Sequence, residues 1–280
     1  MIVLARFAVQ EALRRRVFAV VALLTVAFLV LYGLGVWQAF DVTDEFSGFR
    51  GVDPEVVTGA TMLGLSMFGT LFLGVVLAVF LTLGAVRGDA ERGLLQPLLV
   101  RPVSRRTLLT ARFLSAAVVC AVYVVVVNAV AIVETGLIGG WWPDRPVTPA
   151  LALAMAVVVV AALSVVGSVF LSSTANGIAV FMAFGAGLVA GLLGQIADVL
   201  DSENLTRVSD VIAYALPFEA LYQFGLGELT AGTVGFTRFA LQLGPLGGAR
   251  QAGAELWLWA LAYLALVIAA GAAAFRRRDL

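Results

Sequence analysis

Histidine and lysine are absent from this chain, and cysteine occurs once. Without histidine, and with carboxylates that are scattered rather than clustered, the sequence holds no zinc-ligand pattern and no acid–base dyad. The lone Cys120 sits inside an apolar run and has no partner for an intrachain disulfide. All 18 basic residues are arginine, so the lysine that a P-loop needs is missing, and no GxxxxGK followed by Ser or Thr occurs. Charge is scarce as well. Only 13% of residues are charged, where a soluble domain typically carries about 25%. With 61% hydrophobic residues and a mean hydropathy of +1.02, a soluble globular protein is excluded. A formal net charge of +0 leaves no general basic surface for nucleic acid. The chain is expected to bind no metal or cofactor itself.

What is present is a series of long apolar segments. Six of them, at about 17–37, 60–86, 113–138, 148–171, 177–197 and 256–275, reach the roughly 20 residues that cross a bilayer as helix. The expected fold is therefore all-α, a single polytopic membrane domain over residues 1–280 with six transmembrane helices. The first apolar segment follows Arg14 to Arg16 as the core of a signal peptide would, but it is longer than the roughly 7 to 15 residues of such a core, so it reads as a retained helix. Before it, Arg6, Gln10 and Arg14 recur every four residues opposite Leu4, Ala8 and Ala12, the pattern of an interfacial helix over 1–16.

The arginines segregate by segment. With the amino terminus inside, Arg6, Arg14 to Arg16, the six arginines of residues 87–112 and Arg276 to Arg278 are cytoplasmic, 13 in all. Arg50, Arg145, Arg207, Arg238 and Arg250 are then the 5 outside. That division obeys the positive-inside rule and predicts both termini in the cytoplasm, with the chain in the cell membrane. Outside lie two acidic segments, 38–59 and 198–255. In the second, Val208 to Ala215 and the stretch starting at Pro217 read as two short helices, either re-entrant or packed on the surface.

Polar residues inside the spans are few. Thr61, Ser66 and Thr70 in the second span supply hydroxyls for a mildly polar pathway or for helix-to-helix hydrogen bonds, and Asn128 lies deep in the third. Glu134 lies roughly 30 Å along that span from Arg112, close to the outer interface. Ala183, Gly187 and Gly191 recur every four residues, a small-residue face that admits a close helix, either from a second copy or from the same chain.

Between the second and third spans, residues 87–112 carry Arg87, Arg92, Arg101, Arg105, Arg106 and Arg112 around Leu94, Leu95, Leu98 and Leu99. An apolar knob with a charged rim is how a compact docking contact is built, whereas the plainer reading is a loop whose leucines dip into lipid. The order Asp89, Glu91, Gly93, the leucine turn, then Pro102, Val103, Ser104, Arg105 and a basic residue opening the third span resembles the membrane subunits of type-2 ABC transporters, the ABC-2 permease family. Leu94 stands where that family often has threonine, Pro97 interrupts the leucine turn, and Ala111-Arg112 replaces the usual Gly-Lys.

The layout resembles the family throughout, and within it most the permeases that accompany copper-enzyme maturation. The resemblance implies a coupling helix in which Asp89, Glu91, Gly93, Leu94, Leu95, Leu98, Leu99, Pro102 and Arg105 meet a separate ATPase subunit. It further implies two copies of that subunit, a second permease copy, and ATP and magnesium held by the partner. The implied function is the permease half of an exporter. The readings from other classes are an ATP-independent carrier or channel and a structural anchor for membrane assembly.

Overall fold

The computed structural model describes residues 16–43, 53–83, 105–233, 237 and 253–276, and no strand occurs among them. Six long helices carry the apolar segments: α1 (Arg16–Thr43), α2 (Pro54–Thr82), α3 (Arg105–Gly139), α4 (Val147–Phe170), α5 (Ser173–Leu200) and α8 (Ala254–Arg276). Each contains a stretch long and apolar enough to span a bilayer. Between α5 and α8 lie two short helices, α6 (Glu203–Ala215) and α7 (Pro217–Leu229).

The helix limits differ from those of the apolar segments because different physics sets the two. Hydropathy marks what can lie in lipid, whereas capping and backbone geometry decide where a helix stops. α2 starts at Pro54, not near 60, because Asp53 Oδ1 accepts from the amides of Glu55 (3.1 Å) and Val56 (3.3 Å) and proline suits the first helical position. It ends at Thr82, not 86, where Leu83 leaves helical geometry with ψ 116°. α1 runs on to Thr43 and α3 begins at Arg105, both adding a polar turn or more to the apolar run. α5 closes at Asp201, whose left-handed backbone (φ 48°) reverses the chain toward α6.

α2 and α4 form the centre. In each, 67% of the spanning stretch is buried, against 22% in α1 and α8. Leu63, Met67 and Leu71 of α2 meet Leu153, Val157 and Val160 of α4 in one apolar core that also takes in Val124 of α3. Gly74 lets these helices close up, since a Cβ there would press on Val124 and Val157. Outward-facing side chains such as Leu23, Leu31 and Leu266 are largely exposed, as expected for surfaces that meet lipid tails.

α6 and α7 form a hairpin of which α7 is buried in the bundle and α6 packs by one face on α5. α6 runs back along α5, with Ser202 N donating to Ala197 O (3.1 Å) and Ser209 Oγ to Ala190 O (3.0 Å). At Leu216 the helix breaks (φ −132°, ψ 73°), as the residue before a proline is disposed to do, and Pro217 starts α7. There the chain has reached the middle of α5: Phe218 stacks on Phe184 with ring centroids 5.5 Å apart. α7 then climbs beside α4, packing Gly225 against Pro149 and Ala152, to end where Leu229 O accepts from Asp144 N (3.2 Å). α7 is thus buried against α4 and α5, while α6 covers one side of α5.

Candidate functional site

The end of the bundle where the hairpin enters is closed by polar contacts. Asp144, in the short α3–α4 connection, accepts from Gly232 N at Oδ2 (2.8 Å) and pins the exit of α7, while Arg145 pairs with Glu228 at 2.8 Å. Asp53 N donates to Thr237 Oγ1 (3.0 Å), linking the start of α2 to the segment beyond α7. All five tryptophans, Trp37, Trp141, Trp142, Trp257 and Trp259, belong to this end of the spans, where an aromatic belt meets headgroups. Because the Arg145 side chain is 61% exposed, Arg145→Ala is expected to change stability by less than about 1 kcal/mol. Asp144→Ala, which keeps the backbone bond to Leu229 but leaves Gly232 N without its carboxylate acceptor, is expected to lower the melting temperature further. Melting of both variants in the same mild detergent checks the order.

Deeper in, polar side chains sit between helices of the same chain. Thr25 Oγ1 and Tyr123 Oη lie 2.5 Å apart, Tyr32 Oη and Thr135 Oγ1 2.6 Å, and both pairs bridge α1 and α3. Ser66 is fully buried and donates to Leu63 O (2.9 Å), Thr70 is fully buried, and Thr61 is half-buried. Ser66 and Thr70 therefore face the chain's own interior and line no open channel within one copy. Asn128 is also fully buried. Val124 meets Gly74 across antiparallel helices, so one turn further on each side puts Asn128 level with Thr70. Among the described residues nothing hydrogen-bonds to the Asn128 amide or the Thr70 hydroxyl. Glu134 lies five residues from the end of α3 with its carboxyl beside Gly33, at the tryptophan end of the bundle.

The small-residue face of α5 was open to a helix from a second copy or from the same chain, and within the single chain the helix beside Gly187 and Gly191 is α7. A Cβ on Gly187 would overlap the ring of Phe218, and one on Gly191 would overlap the Glu219 carboxyl. Ala183, one turn before, is half-buried. The face thus serves internal packing of the hairpin. The same contact brings in two residues that the sequence reading passed over, Glu219 (5% exposed) and Gln223 (7% exposed), one turn apart on α7. An acid two residues after Pro217 reads as an ordinary solvated first-turn carboxylate. The signal against that was its setting among Phe218, Leu221, Tyr222 and Phe224, which makes the helix apolar nearly all round.

Asp89, Glu91, Gly93, Leu94, Leu95, Leu98, Leu99 and Pro102 lie outside the described residues, as does the expected interfacial helix up to Arg15. Arg105 opens α3. In sequence, Asp89 to Pro102 lie between α2 and α3, whose end and start are at the end of the bundle opposite the tryptophans. The sequence model of the family described as ABC-2 family transporter protein matches residues 2–280. A comparison with curated proteins finds no match.

Proposed function

The chain belongs to the ABC-2 transporter family, and from that premise we propose that it is the permease half of an ATP-driven exporter, working as two copies with two separate ATPase subunits. That it is a multi-pass membrane transport subunit follows from the family and the six apolar helices. The observation that carries the finer reading is the Asp89-to-Arg105 pattern set between α2 and α3. With no P-loop, the chain leaves ATP hydrolysis to the partner.

In this reading the ATPases approach each other on binding ATP and push the leucine turn from Leu94 to Leu99. The push tilts α2 and α3 and exchanges two arrangements of the pathway. Both termini face the cytoplasm. The arginines at the starts of α1 and α3, the end of α8 and the α2–α3 segment support that orientation.

Purification of the tagged chain in mild detergent tests the partner: a nucleotide-binding protein should copurify in fixed stoichiometry and account for all ATP turnover. Turnover by the isolated chain overturns the half-transporter reading. Orientation is tested separately. In a Cys120→Ala background, Ser104→Cys and Ser202→Cys should react with membrane-impermeant thiol reagents from opposite sides, and reaction from one side for both overturns the topology.

A further inference from the structure

The two helices that leave the coupling segment are anchored by different chemistry. At the end of α2, Thr82 Oγ1 donates to Ser164 Oγ of α4 at 2.5 Å. Asn176, in the first turn of α5, donates from Nδ2 to the carbonyl of that same Ser164 at 2.9 Å, with the hydroxyl 3.4 Å away. Thr82, Ser164 and Asn176 are at most 1% exposed. The amide fits because α4 has glycine one turn on from Ser164: a Cβ on Gly167 would overlap Asn176 Oδ1. Beside the triad, a Cβ on Gly177 of α5 would touch Leu83 at an ordinary 3.4 Å, so α2 and α5 are also in close contact there.

α3 begins differently. Leu109 and Phe113 pack with Val165 and Val169 of α4 and with Ala272 and Phe275 of α8 in an apolar cluster. A groove of about 550 Å³, open at the surface of the bundle, lies alongside, between Phe113 and Leu114 of α3 and Leu264 and Ile268 of α8. Apolar contact is non-directional and tolerates sliding. Hydrogen bonds weaken steeply once bent or stretched, and they are stronger away from water. The triad thus resists relative movement of α2, α4 and α5, while α3 has both a sliding contact and room to move.

We propose that Thr82, Ser164 and Asn176 are positioning residues that transmit displacement of the coupling segment into α4 and α5, so that α2, α4 and α5 move as one body and α3 shifts against them. The proposal rests on the coupling role assigned above to the α2–α3 segment.

Pulsed spin-label distances test it in the full chain with its copurified ATPase, in the Cys120→Ala background. Labels at Phe80→Cys and Leu192→Cys report α2 against α5, and labels at Phe80→Cys and Leu137→Cys report α2 against α3. Helix rise along these diagonals separates each pair by at least roughly 20 Å. Phe80 and Leu192 are exposed, as is Leu137. On ATP addition the α2–α3 distance should shift by about 2 Å, with the α2–α5 distance unchanged. Thr82→Val or Asn176→Ala should broaden the α2–α5 distribution even without ATP, and Thr82→Ser, which keeps the hydroxyl, should restore it.

An α2–α5 shift as large as the α2–α3 shift overturns the proposal, and so does an α2–α5 distribution indifferent to Thr82→Val and Asn176→Ala. If ATP moves neither distance, the coupling reading of the segment fails and the proposal's transmission role falls with it. The variant arms without ATP still decide whether the triad holds the helices.

Discussion

Replacing Leu95 or Leu98 by Asp is expected to weaken association with the ATPase subunit on the order of a hundredfold while the chain still inserts. In the proposed coupling role, Leu94, Leu95, Leu98 and Leu99 act as an apolar contact, and the sequence flanks them with Asp89, Glu91, Arg92 and Arg101. Buried in a partner's groove, an aspartate carboxylate at the knob faces an apolar wall with no counter-charge, a mismatch worth about 2–4 kcal/mol. If the leucines dip into lipid instead, with each arginine gaining about 1 kcal/mol from anionic headgroups, the same change alters membrane contact and leaves the ATPase bound. The amount of ATPase retained by each variant decides between the two. Leu98→Met, similar in volume and apolarity, should retain it. Full retention by both aspartate variants would falsify docking through these side chains.

The spans were legible because each is a long apolar run, a signal that needs no knowledge of neighbours. Their limits were not, because Asp53 capping α2 and Leu83 leaving it are local events without a hydropathy signature. The hairpin was legible as two helices meeting at Pro217, yet its depth was not. Depth is set by which surface receives α7, and a glycine every four residues announces a close approach without naming the helix that makes it. For the same reason Glu219 was passed over, since its burial comes from α5 across the contact and not from its own segment. The triad at Thr82 was invisible on different grounds. Thr82 lies 82 residues from Ser164, Asn176 sits on the next helix, and only the packing of three helices brings these ordinary polar residues together.

Enlarging Gly187 to Leu is expected to damage the fold of the single chain by several kcal/mol, roughly 3 or more. The Cβ alone would overlap the Phe218 ring, which is itself fully buried and stacked on Phe184. There is little slack for the ring to move into, because α7 is held at its far end by the Asp144 contacts to Leu229 and Gly232. Gly187→Ala should be destabilising too, even though alanine in place of glycine within a helix gains about 0.5–1 kcal/mol on its own. A compensating pair isolates the contact. Phe218→Ala by itself opens a cavity and costs about 3–5 kcal/mol, but combined with Gly187→Ala the total loss should be smaller than the sum of the two single losses, because the added methyl then fills vacated space. Melting temperatures in mild detergent, with the oligomer mass measured alongside, give the answer. Strict additivity of the pair, or a Gly187→Leu chain that melts normally while its dimer dissociates, would return this face to the subunit boundary. Non-additivity with an unchanged oligomer fixes it as the seat of α7.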